Sequence, residues 1–381
     1  MSIKKLPDGR YEWRHRVDGH HKKKTFARRA DAVAYDSRIR ADLARGTHVD
    51  MSNQVTVAEY FRQWLGDRVL RPNSVRIRES MLRNHLEPVP LGSRPLVKVR
   101  PSEIQSWVRS RAGVLGPQTL RTYVGMLRSV FATAVLDGLI ARNPVQPLAR
   151  LSLPKADKPK LVPLTVVQAQ AWADAAAAHV RAMILAQAGL GLRISELLAL
   201  RVADIDFMHR EVHIDEQLDT KGHRAPLKTA RSRRAVPLPG VTSLVLAEHI
   251  RLFPPGPGGL IFTTVYAELR SNGSRNSTPR RANGSWPANV AGKAYRKAAM
   301  AAGLPDGTSS HDLRHHYASV LLDAGESVHA VAERLGDTPQ MVWSTYGHIM
   351  PDREDTTRKA VDAAWKAAEG TQKAHNTSKT R

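Results

Sequence analysis

The sequence contains no cysteine. This absence excludes disulfide bonds, thiolate zinc sites and cysteine nucleophiles together. Long apolar runs are missing as well: the uncharged run between Arg181 and Arg193 is far shorter than the roughly 20 residues of a membrane helix. The first ten residues are polar and charged, without the apolar centre of a signal peptide. These absences predict a cytoplasmic protein that has no membrane partner.

Acidic residues are scarce. Against 35 Asp and Glu stand 58 Lys and Arg, so the formal net charge is +23. Such an excess favours a polyanionic partner, because each neutralised phosphate releases condensed counterions. Charge alone does not distinguish DNA from RNA or from an anionic membrane. The 381 residues, 42% of them hydrophobic, are enough for two or three domains that each have a core.

The N-terminal block is predicted to combine a hairpin with a helix. Aromatic and charged residues alternate over 11–17, as in a half-exposed strand, and 20–26 returns as a second strand after an Asp18-Gly19 turn. A helix is predicted over 28–45. The block carries a basic cluster that is either a solvated charged face or a DNA-binding surface, and we favour the latter: Lys22, Lys23 and Lys24.

The next block is predicted to be all-helical. Apolar residues recur at helical spacing after Thr56, which is a candidate N-cap. A second helical pattern runs from Leu120 to Ala134 and is ended by Asp137-Gly138. The polar side of this later helix carries small polar and basic residues. They are either ordinary surface residues or phosphate contacts, and we select Thr119, Arg121 and Arg128 as candidate DNA contacts.

A linker follows in which prolines interrupt the periodicity. Its lysines Lys155 and Lys158 would let it follow a DNA backbone. Beyond the linker lies the largest block, and the chain ends in a polar tail that we expect to be disordered. The predicted boundaries are 1–50 for the N-terminal block, 55–150 for the helical block, 151–162 for the linker, 163–369 for the largest block and 370–381 for the tail.

Charged residues interrupt two apolar segments of the largest block. Arg193 and Glu196 stand three apart in a segment predicted to be helical, which indicates either a buried ion pair or a functional arginine. His311 and Arg314 have the same spacing at the start of a second predicted helix. His311 and His315 also imitate a zinc-protease motif, but its general-base position holds aspartate and Arg314 would lie beside the cation. We therefore predict no metal and no cofactor.

Two further residues say little by themselves. Lys228 lies between the predicted strands 211–218 and 234–238, where it is either an exposed hairpin lysine or an ammonium that reaches a phosphate. Tyr346, in a Thr-Tyr-Gly run, is more often a packing residue than a nucleophile.

The order of these segments is more specific than any one of them. Arg193 with Glu196, then Lys228, then His311-x-x-Arg314, then Leu-Gly-x ending nine residues before Tyr346, resembles the tyrosine recombinase (phage integrase) family. The resemblance implies a multidomain fold: a small α+β N-terminal module that binds arm-type DNA, an all-α core-binding domain, and a mainly α catalytic domain with a small antiparallel sheet. For the first module, the resemblance rests on residues 7–11 and 24–26.

The resemblance also implies roles. Tyr346 would attack a DNA phosphodiester and form a 3′-phosphotyrosine, with Arg193 and Arg314 holding the phosphate oxygens. Lys228 would protonate the leaving 5′-oxygen, and His311 would assist proton transfer at the nucleophile. Glu196 would orient Arg193 or a neighbouring histidine.

One position departs from the family pattern. Asp337 stands where the family usually has His or, less often, Trp, and an ionised carboxylate cannot donate a hydrogen bond to phosphate. Asp337 is then structural or orienting, or a histidine such as His348, His315 or His316 replaces the donor, or activity is reduced. We favour an active enzyme, because the other five positions match.

The resemblance also implies partners. Double-stranded DNA attachment sites would be bound by a homotetramer associated with a bacterial nucleoid, and a directionality factor or a host DNA-bending protein is a candidate accessory. A predicted helix over 356–368 would dock on a neighbouring protomer, or pack on its own domain. The competing functions are a type IB topoisomerase-like nicking-closing enzyme and a catalytically impaired DNA-binding relative.

Overall fold

The computed structural model describes most of the chain, as two compact units, Met1–Lys158 and Pro159–Arg381. Both consist mainly of helices with small antiparallel sheets, which confirms the predicted fold class. None of the helices in the described part of the chain is long and apolar enough to cross a membrane. The described residues are 2–17, 20–44, 49, 53–146, 154, 160–219, 222–227, 229–264, 284–349, 358–359 and 361–366.

The first unit begins with a three-stranded antiparallel sheet and one helix. The strands β1 (Ser2–Lys5), β2 (Tyr11–Val17) and β3 (His20–Phe26) lie in that order, and α1 (Arg29–Ala44) follows. The pairing of β2 with β3 confirms the predicted hairpin, whose Asp18-Gly19 turn lies outside the described residues. Buried Trp13 and Asp36 join the sheet to α1, since the indole nitrogen donates to the carboxylate at 2.7 Å.

The lysines of β3 divide between the two faces of this sheet. Lys24 stands opposite buried Trp13, and its ammonium lies 4.5 Å from the centre of the Tyr35 ring on α1. Lys23, one residue earlier, therefore points to the other face, where it is exposed. The side chain of Lys22 lies outside the described residues. Lys23 is thus the better placed of the two described lysines for a DNA contact.

The rest of the first unit is helical, as predicted. Thr56 is the N-cap of α2, because its hydroxyl oxygen accepts from the backbone of Glu59 at 3.3 Å. The later predicted helix is α5, with Asp137 as its C-cap. The helices enclose one core, whose largest members include Phe61, Phe131 and Trp107. Their bounds are α2 Val57–Gly66, α3 Pro72–Met81, α4 Pro101–Ala112 and α5 Pro117–Leu136, with a π-helical turn at Leu82–Leu86.

The three candidate DNA contacts on α5 are all exposed: Thr119, Arg121 and Arg128. The Arg121 Nη2 donates to the backbone carbonyl of Pro154 at 3.1 Å, so part of its guanidinium is engaged by the chain itself. Lys155 and Lys158 lie outside the described residues.

The second unit contains eight named helices and five short strands among its described residues. Its main core is built around Trp172, whose indole donates to the backbone of Tyr295 at 2.9 Å. The helices are α6 Val166–Asp174, α7 Ala178–Leu190, α8 Ile194–Leu197, α9 Gly240–Leu252, α10 Ala288–Ala301, α11 Ser310–Asp323, α12 Val328–Leu335 and α13 Pro339–Tyr346.

The strands of this unit form two antiparallel sheets, with orders β4-β5-β8 and β6-β7. The predicted strand 211–218 is in fact two strands, β5 and β6, which pair with different partners. The chain leaves the first ladder at Asp215, whose carboxylate pairs with Arg233. The strand predicted over 234–238 is β8. The bounds are β4 Ile205–Asp206, β5 Glu211–Ile214, β6 Glu216–Leu218, β7 Arg224–Pro226 and β8 Arg234–Pro237.

Of the helix predicted over 356–368, residues 358–359 and 361–366 are described and are helical. Val361 is 52% exposed and Trp365 is 70% exposed. Two members of the predicted apolar stripe are therefore uncovered in the single chain.

Candidate active site

Arg193 lies in an extended segment between two helices. Gly191, with φ of +62°, ends α7, and Arg193 (φ −68°, ψ 146°) precedes the single turn α8. The prediction that Arg193 and Glu196 share one helix face is therefore wrong for Arg193, because a left-handed glycine interrupts the helix before it. The pair still forms: the Arg193 Nη1 donates to Glu196 Oε1 at 2.9 Å, and the backbone nitrogen donates to Oε2 at 3.1 Å.

Glu196 is buried between two arginines. Besides Arg193, it accepts from Nη2 of Arg234 at 2.9 Å, and Arg234 is itself only 4% exposed. Burial raises the pKa of the Glu196 carboxyl, but the charges of Arg234 and then Arg193 outweigh it, so the pKa lies below its ordinary value. Sequence reasoning missed Arg234. Its signal was the strand alternation, which places Arg234 on the same face as buried Val236.

Arg314 is almost completely enclosed near the start of α11, with 2% of its side chain exposed. Its Nη1 donates to the carbonyl of Gly191 at 2.9 Å, and its Nη2 donates to the carbonyl of Leu335 at 2.7 Å. The start of the helix is itself capped, because Asp312 accepts from the backbone and hydroxyl of Ser309 at 2.8 and 3.0 Å. These bonds hold the Arg314 guanidinium in one orientation.

Asp337 bridges the two arginines of the predicted site. Its Oδ1 accepts from Nη2 of Arg193 and its Oδ2 accepts from Nη2 of Arg314, both at 2.5 Å. The bridge is placed by a Schellman motif at the end of α12, in which the Gly336 nitrogen donates to Glu333 and the Asp337 nitrogen to the carbonyl of Ala332. A carboxylate thus occupies the point on which two guanidinium groups converge.

Tyr346 ends α13 and is 4% exposed. Its hydroxyl lies 2.7 Å from Nδ1 of His315. Burial raises the pKa of the phenol to about 12, although the charge of Arg314 lowers it. The tyrosine is therefore protonated at neutral pH and has a histidine nitrogen within hydrogen-bond distance.

The other histidines proposed as replacement donors make different contacts. His316 is buried and its Nδ1 lies 2.6 Å from the carbonyl oxygen of Leu164. His348 is exposed and its Nε2 lies 3.0 Å from the carbonyl oxygen of Leu161. Of the three, His315 is the one that reaches Tyr346.

A cavity of about 260 Å³ opens beside the arginines. Lys228 lies outside the described residues, but the next residue, Thr229, lines this cavity. Arg231 also lines it, is exposed, and was not selected from the sequence. The lining includes Arg193, Glu196, Ser232, Asp337 and Met341. Two guanidinium groups, those of Arg193 and Arg231, and two carboxylates, those of Glu196 and Asp337, thus face one partly enclosed space.

Gly191→Ala is expected to destabilise the fold by about 2–5 kcal/mol. The left-handed backbone at this position disfavours a side chain, and a Cβ would lie 2.3 Å from Cδ1 of Tyr317. Urea denaturation measures the loss. The control is Gly292→Ala in helix α10, where the nearest atom to a Cβ is 3.9 Å away and helix propensity predicts a gain of up to about 1 kcal/mol. Equal stability of the two variants would contradict the strain at Gly191.

The fold and the site together define a class of protein. A helical unit with small sheets places two arginines on one anion position, next to a buried tyrosine that has a histidine partner. Comparison with known proteins identifies the family. Residues 164–353 match the phage integrase family.

Similar proteins of known name agree with this match. The integrase of Mycobacterium phage D29 is 27% identical over 301 residues, covering 76% of this chain and 74% of that integrase. The tyrosine recombinase XerC of Rhodospirillum centenum is 30% identical over 243 residues, covering 61% of this chain and 62% of XerC.

Solved structures share the fold. The Tn1549 transposon integrase in complex with a circular intermediate DNA has a TM-score of 0.64 and 24% identity, covering 81% of this chain and 99% of that one. A lambda integrase tetramer bound to a Holliday junction has a TM-score of 0.58 and 16% identity, covering 88% and 95%. The chain belongs to the phage integrase family and is a tyrosine recombinase of that family.

Proposed function

We propose that this protein is a site-specific DNA recombinase that cuts and rejoins DNA through a 3′-phosphotyrosine intermediate. The observation that carries the proposal is the convergence of Arg193 and Arg314 on one pair of carboxylate oxygens close to Tyr346. A phosphodiester offers a similar pair of anionic oxygens, which guanidinium groups bind well.

In the proposed reaction, the Tyr346 oxygen attacks the phosphorus and the bond to the 5′-oxygen of the DNA breaks. Charge that gathers on the non-bridging oxygens is stabilised by Arg193 and Arg314. Lys228 supplies the proton for the departing 5′-oxygen. The phosphotyrosine retains the energy of the broken diester bond, so a 5′-hydroxyl of another strand can attack it and rejoin the DNA.

Asp337 holds both guanidinium groups in this arrangement until DNA arrives. Its carboxylate contacts the Nη2 atoms of Arg193 and Arg314, and it carries the same sign of charge as the phosphate. The scissile phosphate therefore competes with Asp337 for these donors. This orienting role keeps the enzyme active without the usual histidine or tryptophan.

Four protomers acting on two DNA attachment sites complete the proposal. The related lambda integrase has been solved as a tetramer bound to a Holliday junction. In this chain the exposed Val361 and Trp365 provide apolar surface for a neighbouring protomer. Exposed basic residues of the first unit, Lys23 and Arg128, would hold the DNA backbone.

The test is covalent capture on a suicide duplex that carries the attachment site, selected beforehand from random duplexes by binding. Wild-type protein is expected to form a protein–DNA adduct, and Tyr346→Phe is expected to bind the duplex without forming one. Tyr295→Phe is the matched control: within the described residues its buried hydroxyl has no hydrogen-bond partner, so the adduct should persist.

Duplex binding without an adduct in wild-type protein would favour a catalytically impaired DNA-binding protein. A topoisomerase-like enzyme would instead relax supercoiled plasmid that lacks the site.

A further inference from the structure

The proposed nucleophile needs a proton acceptor. Tyr346 is 4% exposed, and burial raises the pKa of its phenol to about 12. At neutral pH only about one molecule in 10⁵ would carry the phenolate. Cleavage is therefore slow unless a neighbouring group removes the proton as the bond to phosphorus forms.

His315 is placed to be that group. Its Nδ1 lies 2.7 Å from the Tyr346 hydroxyl, and the two rings are 5.6 Å apart at 65°. Burial, and next the neighbouring His311, lower the pKa of the His315 imidazole to about 4. The ring is therefore neutral at pH 7, and with its proton on Nε2 it presents a free electron pair at Nδ1.

His311, to which the family resemblance assigns proton transfer at the nucleophile, lies one turn earlier on α11. Its ring meets the His315 ring edge to face, with centres 4.5 Å apart, and it is exposed. Within the described residues, the hydrogen bond of the Tyr346 hydroxyl is to His315. His311 is thus the outer histidine of the pair and His315 the inner one.

We propose that His315 accepts the Tyr346 proton during cleavage and returns it during rejoining. As the phenol oxygen forms its bond to phosphorus, its proton moves to Nδ1 of His315 and the phosphorus–5′-oxygen bond breaks. In the reverse direction a 5′-hydroxyl attacks phosphorus and gives its proton to Lys228, the phenol oxygen leaves, and the His315 proton returns to the phenol oxygen. The assignment rests on the proposed recombinase function.

The charged and titratable groups around this pair set its pH behaviour. His311, Asp312 and Arg314 act on His315 from its own helix. Arg314 and Asp337 act on the tyrosine. The net effect opposes protonation of His315, so in wild-type protein the acceptor stays available throughout the range of pH 6 to 9.

His315→Asn separates proton transfer from positioning. The asparagine Oδ1 can occupy the place of Nδ1 and accept the phenol hydrogen bond, but an amide cannot take the proton. Adduct formation in a single turnover on the suicide duplex is expected to slow by about 10²–10³-fold at pH 7. The ratio of wild-type to variant rate is expected to shrink as pH rises to 9, because the phenolate fraction then grows tenfold per unit.

His311→Asn is the matched comparison, with the same substitution one helical turn away. Its rate relative to wild type should be the same at every pH. The inference is overturned if His315→Asn cleaves at the wild-type rate, or if His311→Asn is the variant whose defect shrinks with pH. A wild-type protein that forms no adduct would instead overturn the proposed function itself. Duplex binding and the melting temperature, measured for each variant, show that the fold is intact.

Discussion

Arg193→Ala is expected to slow covalent adduct formation by about 10²–10³-fold while the protein still folds and binds DNA. Arg193 supplies half of the convergent anion site, and its side chain is 30% exposed at the cavity. Its loss removes donors from the phosphate but leaves Glu196 paired with Arg234, so the buried network survives. Single-turnover cleavage of the suicide duplex, together with a mobility shift for binding, measures the two effects.

Arg314→Ala is the informative partner of this experiment. Cleavage should fall at least as far, but the fold should also lose about 3–5 kcal/mol, because the buried guanidinium bonds the carbonyls of Gly191 and Leu335 as well as Asp337. A variant of either arginine that cleaves at the wild-type rate would show that the phosphate binds elsewhere. Equal melting temperatures of the two variants would contradict the buried role of Arg314.

Glu196→Ala is expected to destabilise the second unit by about 3–5 kcal/mol. The carboxylate is buried between two arginines, and its removal leaves Arg234, 4% exposed, without its counter-ion. Chemical denaturation measures the loss. The control is Glu248→Ala on α9, which breaks a surface i,i+3 pair with Arg251 and should change stability far less, because solvent screens exposed ion pairs.

The pH dependence of this effect has a definite sign. The pKa of Glu196 in the folded protein lies below its ordinary value of 4.5, so its contribution is complete above pH 4.5. It is lost as pH falls further, through the folded pKa. The difference in stability between wild type and Glu196→Ala should therefore be constant from pH 7 to pH 5 and shrink in more acidic solution. A difference that grows on acidification would contradict this assignment.

Many local elements could be predicted because their causes lie within a few residues. The hairpin of β2 and β3 follows from alternation and a turn dipeptide, and α2 begins behind Thr56 because a hydroxyl can cap it. The strand 211–218 was predicted as one element, since nothing local says that its two halves join different sheets. The predicted helix through Arg193 is wrong, because Gly191 adopts a φ of +62° and ends the preceding helix. The apolar run around this glycine gives no sign of that conformation.

Only part of the site could be predicted, because contacts between residues far apart in the sequence leave no local pattern. Arg193, Arg314 and Tyr346 were predicted from their order along the chain. The two arginines contact Asp337, and the charges of Arg314 and Asp337 act on Tyr346. Arg234 was missed, because its value as a partner of Glu196 depends on a residue 38 positions away. Asp337 was recognised as a departure from the family pattern. Its contact with two arginines could not be predicted, because the two lie far from it in the sequence.

The order of the motifs along the chain was therefore enough to identify a tyrosine recombinase by its resemblance to the family, because residue spacing is a property of the chain itself. The role of Tyr346 as nucleophile stays a prediction. Which histidine touches that tyrosine was decided only by the fold. His311 and His315 differ by one helical turn, and the packing of α11 against α13 turns His315, 31 residues from Tyr346 in sequence, toward the phenol. Hydrogen bonds act over about 3 Å, whereas sequence patterns carry no distances between separate elements.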